Sequence, residues 1–179
     1  SGTMSDGTIY TAENTRRIGG FHCLCAAVGD IPGHPLPGYE AGDILPASVW
    51  DLRHRPLSNP EGMVFHEQTG AWYQIYLTNT DGASQYNTTP ATKDAVASIL
   101  GYHVGSQFWF RELLAQRKMS LLTSWEFQIV ARGSNNGTNI IGSLLPPTTG
   151  GHIDTANRRM ISDIGLDDCC GAYWQWLQD

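Results

Sequence analysis

The sequence predicts an α+β fold: a mixed short sheet with two or three helices, set among long irregular stretches. Three observations carry that expectation. The 179 residues include 20 glycines and 9 prolines, which leaves little room for long helices and implies many turns. Residues 63–78 read as strand, short turn and strand, because Trp72, Gln74 and Tyr76 alternate with Tyr73, Ile75 and Leu77. Thr123, followed three positions later by Glu126, is the pattern of a helix start in which each side chain satisfies the other's backbone amide. The length is that of one ordinary domain. A composition 41% hydrophobic and 16% charged, with 6 Trp, 7 Tyr and 5 Phe, excludes intrinsic disorder.

Charge narrows the partners. Lys and Arg number 11 against 17 Asp and Glu, a net −6 that speaks against a nucleic-acid partner held through many phosphates. The sequence holds no run of about 18 apolar residues that could span a bilayer. Ser1-Gly2-Thr3 ahead of Met4 reads as an expression-tag remnant, and no basic segment followed by an apolar one marks a secretory signal. The expected organisation is residues 1–3 as tag remnant, 4–62 as the irregular N-terminal part of the domain, and 63–179 as its core.

The elements follow in order. Within 4–62, brief strands are expected at 21–28 and 49–52, separated by the Pro- and Gly-rich 31–38, which cannot form a helix. Strands at 63–67 and 71–78 form a hairpin with large side chains on both faces, so both faces should be covered. Residues 79–93 are polar and turn-rich, and 94–100 is a short helix ended by Gly101. A second helix spans 106–118. The third runs from the Thr123 cap to about Arg132, with Leu122 and Phe127 placed as a hydrophobic staple and Gly133 able to take the left-handed position after it. Residues 134–163 are again glycine-rich. The closing segment 164–176 carries Trp174 and Trp176, two apart and therefore on one face if extended.

Few residues point to chemistry. The histidines are scattered, without metal-ligand spacing on a helix, and no nucleophile elbow, P-loop or dinucleotide fingerprint is present. Cys23, Cys25, Cys169 and Cys170 lack zinc-ribbon spacing and read as small buried apolar residues, a disulfide or metal being the alternative. Asp154, Asp163, Asp167 and Asp168 could hold a calcium ion through oxygen ligands. Their spacing matches no EF-hand loop, so turn caps and salt bridges with Arg158 and Arg159 are preferred and no cofactor is expected. Trp50, Asp51, Arg53, His54 and Arg55 read as a buried polar network pinning the N-terminal part, with a binding role as the alternative.

Two stretches carry a resemblance. Leu121, Thr123, Glu126, Arg132 and Gly133 match, without a gap, the mark Arg-Leu-Pro-Thr-x-x-Glu-Trp-Glu-x-Ala-x-Arg-Gly, with Phe127 in place of its first tryptophan. Gly165, Leu166, Asp168, Gly171, Trp174 and Trp176 match Gly-Leu-x-Asp-Met-x-Gly-Asn-Val-Trp-Glu-Trp in register. Both marks are similar to those of the formylglycine-generating-enzyme, or sulfatase-modifying-factor, branch of the C-type lectin fold. With the segments 42–56, 60–64, 126–128 and 150–162, the chain most resembles the variable proteins diversified by diversity-generating retroelements.

That resemblance implies a C-type-lectin-like fold that displays a hypervariable binding surface, on a virion tail or appendage or on a cell surface. Trp174 and Trp176 would then be packed in the core, with stacking on a ligand as the alternative. It implies a cell-surface protein or glycan as ligand, bound by residues in the last strands, C-terminal to Trp176. Those strands are missing here, so a complementary C-terminal segment or second subunit is expected to supply them. Cys169 and Cys170 do not match the enzyme's catalytic positions, so the expectation is no enzyme and no catalytic residue. A fragment of a formylglycine-generating-type enzyme, or a structural virion component, are the alternatives.

Overall fold

A computed structural model describes residues 3, 5–11, 13–90, 105–135, 137–141, 148–171, 173 and 175–179. The expected helix at 94–100 and the side chain of Trp174 lie outside the described residues. Among the described residues the regular elements are short. Strand β1 (Gly19–Gly20) pairs antiparallel with β2 (Trp50–Asp51), and β3 (Met63–His66) pairs antiparallel with β4 (Ala71–Gln74). Helix α1 is Gln107–Ala115 and α2 is Ser124–Val130, with a single 3-10 turn at Pro46–Ser48.

Among the described residues the strands form two separate two-stranded antiparallel ladders. The predicted hairpin forms, with Phe65 opposite Trp72 and Met63 opposite Gln74. Its second strand stops at Gln74 because the next residues bond elsewhere. The Ile75 amide still donates to the facing Gly62, but the Ile75 carbonyl accepts from Asp167 and the Tyr76 amide donates to the Ser84 hydroxyl. Both faces are covered: Tyr73, Ile75 and Tyr76 are buried and Trp72 and Gln74 half-buried. The strand expected at 21–28 reduces to one bridge, Cys23 to Ile44.

Helix α1 starts on Ser106, whose Oγ accepts from the Trp109 amide, and ends earlier than expected. Lys118 takes φ +60 and the Met119 amide returns to the Leu114 carbonyl, a Schellman closure that leaves Lys118 outside the helix. Helix α2 has the predicted capping box. Thr123 Oγ1 accepts from the Glu126 amide at 3.2 Å, while Glu126 Oε2 accepts from the Thr123 amide at 2.9 Å. Regular helix ends at Val130, two residues short of Arg132.

One apolar cluster joins the N-terminal part, the hairpin, α2 and the closing segment. Leu24, Val28, Leu36 and Leu45 come from the irregular N-terminal part. They pack with Val64, Tyr73 and Ile75 of the hairpin region, Val130 of α2, and Ile161 and Leu166 of the closing segment. The group 50–55 departs from expectation. Trp50 is buried under the Arg17 guanidinium, but Asp51, Arg53, His54 and Arg55 are exposed. Asp51 Oδ1 accepts from the Arg53 and His54 amides, so the group is a solvated Asx turn and not a buried network.

Candidate functional site

The carboxylates of the closing half do not converge. Asp154 has no solvent contact and accepts from Thr138 Oγ1, from the Ala156 and Arg158 amides, and from the Arg158 guanidinium. Burial opposes its charge, but these donors together hold its carboxyl below the usual range. Asp163 pairs with Arg132 at 3.2 Å. Asp167 meets Arg159, both buried, and Asp168 Oδ2 accepts from the Gly150 amide at 2.7 Å and from His152 Nδ1 at 2.8 Å. Each carboxylate therefore has its own partners, mostly turns and arginines. Among the described residues no three His, Cys, Asp or Glu side chains are grouped to hold a metal ion.

The motif residues hold this frame together. Gly133 turns the chain at φ +85 with its α-carbon against Asp163, so a side chain there would collide with the carboxylate that Arg132 binds. Gly165 sits at φ +93 against the Leu45 methyls, and Leu166 is buried beside it. The Gly171 carbonyl accepts from the Ile140 amide. Thr123 and Glu126 cap α2, and Glu126 Oε1 also accepts from Tyr73 Oη at 3.3 Å, which ties the helix start to the hairpin. The Thr123 amide, more than any other group, holds Glu126 below the usual carboxylate range.

Trp176 corrects an expectation. Residues 175–179 join no strand ladder, and Trp176 is 49% exposed instead of packed in the core. Its ring is held at the surface because Nε1 donates to the Gly105 carbonyl, before α1. The following residues bond to the helix starts: the Gln178 amide to Leu122, Leu177 O to Gln107, and Asp179 Oδ1 to the Ser124 amide. Between this segment, α1, α2 and the hairpin lies a groove of about 450 Å³. Leu114, Leu122, Phe127, Leu166 and Trp176 line it, with Gln74 and Glu126 among its polar groups.

Sequence reasoning missed a second cluster, because its members are far apart in the chain. Cys25 is half-buried at the edge of the apolar core, where its thiol also meets charged groups. Its thiol donates to Asp167 Oδ2 at 3.3 Å, 142 positions away, and accepts from Arg159 Nη2 at 3.5 Å. Burial, then the Asp167 charge, pushes the Cys25 thiol up to about 12. Burial also raises Asp167 to about 6, an effect that Arg159 only partly offsets. His22 Nε2 lies 2.7 Å from Tyr76 Oη at the edge of the same cluster. No local pattern in the sequence marks such a set.

This scaffold has known counterparts. Residues 1–51 match the family described as Mtd second domain. In an alignment of 186 positions that covers 94% of this chain, the sequence is 31% identical to the tail fiber receptor-binding protein of Bordetella phage BPP-1. The solved U1 variant of the major tropism determinant superposes with a TM-score of 0.74 at 28% identity over 95% of this chain. The chain is similar to the major tropism determinants. The M1 variant gives a TM-score of 0.70 at 29% identity, again over 95% of this chain. This Mtd-like chain spans about half the length of the relatives it matches, 48% in each of these comparisons. Its fold is Mtd-like over that half, with few short strands and two helices among the described residues. No helix among them is long and apolar enough to cross a membrane.

Proposed function

We propose that this chain is the scaffold part of a non-enzymatic receptor-binding protein of a phage tail fibre, a variable protein of a diversity-generating retroelement. One observation carries the reading: 31% identity over 94% of the chain to a tail fiber receptor-binding protein. The scaffold is C-type-lectin-like, with residues 4–62 as its irregular N-terminal part and 63–179 as its core. The residues that satisfy turns and caps (Thr123, Glu126, Arg132, Gly133, Gly165, Leu166, Asp168, Gly171) hold the frame, and they have that role instead of touching ligand. Receptor contacts lie C-terminal to Trp176, and the ligand is a cell-surface protein or glycan. The apolar groove beside Trp176 is where the remaining strands of the sheet are seated, supplied by a C-terminal segment or a second subunit.

The test uses the intact gene product, read from the coding DNA through and past the Asp179 codon. Displayed on glycan and host-surface protein arrays, it is expected to give a small set of saturable hits that change when the residues after Trp176 are varied. Absence of any specific hit, together with stable homo-oligomers, would assign a structural virion role instead.

A further inference from the structure

We propose that His152, Asp168, Arg159, Asp167 and Cys25 form a pH-responsive clasp, in which a proton on His152 locks the 149–152 loop and the Cys25 segment onto the closing segment. The inference rests on the charge that the geometry encloses and is independent of the receptor-binding reading.

The clasp joins three stretches of chain. From the N-terminal part come His22 and Cys25; from the segment after β4, Tyr76; from the closing half, His152, Arg159, Asp167, Asp168, Cys169 and Cys170. Most of these carry no charge near neutral pH. Burial pushes the Cys25 and Cys169 thiols up to about 12, raises Cys170 and the Tyr76 phenol, and lowers His22 so that its imidazole stays neutral. What remains is one guanidinium, Arg159, facing two buried carboxylates, Asp167 and Asp168. With His152 neutral the enclosed set carries one uncompensated negative charge, which is costly in a site shielded from water. Asp168 Oδ1 adds to that cost, being buried without a hydrogen-bond partner among the described residues.

His152 is placed to supply the missing charge. Its Nδ1 lies 2.8 Å from Asp168 Oδ2, and its side chain is 18% exposed, so protons reach it while the carboxylate has no solvent contact. The Asp168 hydrogen bond, against the opposing effect of burial, raises its affinity for a proton. The same Asp168 oxygen holds the Gly150 amide, and Gly150 packs against the Tyr76 ring. Arg159 Nη1 in turn donates to the His152 carbonyl. The loop thus has two charge-dependent fastenings. Because the folded-state pKa of His152 is raised, this stabilisation is fully present below the unfolded value of about 6.5 and is lost as pH rises through the folded value. Asp167 acts in the same direction between its ordinary value of 3.8 and about 6, and neutral His22 opposes both below about 6.5.

The test is a titration of this chain. Imidazole resonances of His152 are expected to give a midpoint above about 6.5. The protection factor of the Gly150 amide against hydrogen exchange is expected to fall about fivefold or more between about pH 6 and pH 8. In His152→Asn, whose amide can keep the donor but does not titrate, that fall should vanish. A His152 midpoint at or below about 6.5, a Gly150 protection factor that ignores pH, or the same fall in His152→Asn would each overturn the proposal. Should the variant fail to fold, the imidazole titration of the unaltered chain decides alone.

Discussion

Asp154 shows how a side chain can be sealed by its own partners. Its two oxygens accept five hydrogen bonds, two from backbone amides, one from Thr138 and two from Arg158. Asp154→Ala strands those amides and the Thr138 hydroxyl together, at a cost of about 3 kcal/mol in urea unfolding near neutral pH. Asp154→Asn keeps the shape and one acceptor, and should lose about half as much. Arg158→Ala should cost under about 1 kcal/mol, because that side chain is 45% exposed and water replaces its partner. Equal losses for Asp154→Ala and Arg158→Ala would mean that the ion pair, and not the turn, is what Asp154 supports. Gly165 is constrained by conformation and by space. Its φ is +93, and a methyl group added there would fall only 2.5 Å from both methyls of the buried Leu45. Gly165→Ala should therefore destabilise by about 2–4 kcal/mol. If circular-dichroism melting shows Gly165→Ala within about 0.5 kcal/mol of the parent, Leu45 repacks freely and the close approach has no energetic weight.

The start of α2 is the element that local chemistry specifies most completely. Thr123→Ala removes the acceptor for the Glu126 amide and should cost about 1 kcal/mol, while Thr123→Ser should stay within a few tenths. Glu126 acts both as cap and as acceptor for Tyr73. Since the Thr123 amide holds Glu126 below 4.5, that contribution is present above about pH 4.5 and is lost as pH falls through the folded value. Glu126→Gln should therefore differ most from the parent at neutral pH and converge with it near about pH 3; a difference that persists in acid would exclude the carboxylate charge as the cause. The capping box and the hairpin are legible in the sequence because their partners lie within a few residues. Strand lengths are not. Whether β4 continues past Gln74 depends on Ser84 and Asp167, which take the Tyr76 amide and the Ile75 carbonyl from 8 and 92 positions away. Trp176 escapes a local reading for a related reason: its spacing from Trp174 suits a strand, but Gly105 takes its indole N–H and fixes it at the surface.

At the scale of the whole molecule, the question is whether the N-terminal third is a separate unit. Residues 1–51 match a family described as a second domain, and their composition reads as irregular cover. Their packing says otherwise. Leu24, Val28, Leu36 and Leu45 share one core with Val64, Ile161 and Leu166, and the Cys25 thiol bonds into the Asp167 cluster. Leu45 is 1% exposed and packs directly on Gly165, so the turn of the closing segment is shaped against the N-terminal part. Side-chain bonds repeat the point, since Arg159 Nη2 donates to the Cys25 thiol and His22 Nε2 lies 2.7 Å from Tyr76 Oη. A core assembled from both ends of the chain should unfold as one cooperative unit. Leu45→Ala should cost about 2–5 kcal/mol, and the loss should appear equally in both parts. Under conditions where exchange reports global opening, the Leu24 amide and the Asp167 amide, which bonds to Ile75, should show the same opening free energy, lowered by the same amount in the variant. A Leu24 amide that exchanges through an independent, lower-energy opening, with Asp167 unmoved by Leu45→Ala, would show instead that the N-terminal third folds and unfolds on its own and merely rests against the scaffold.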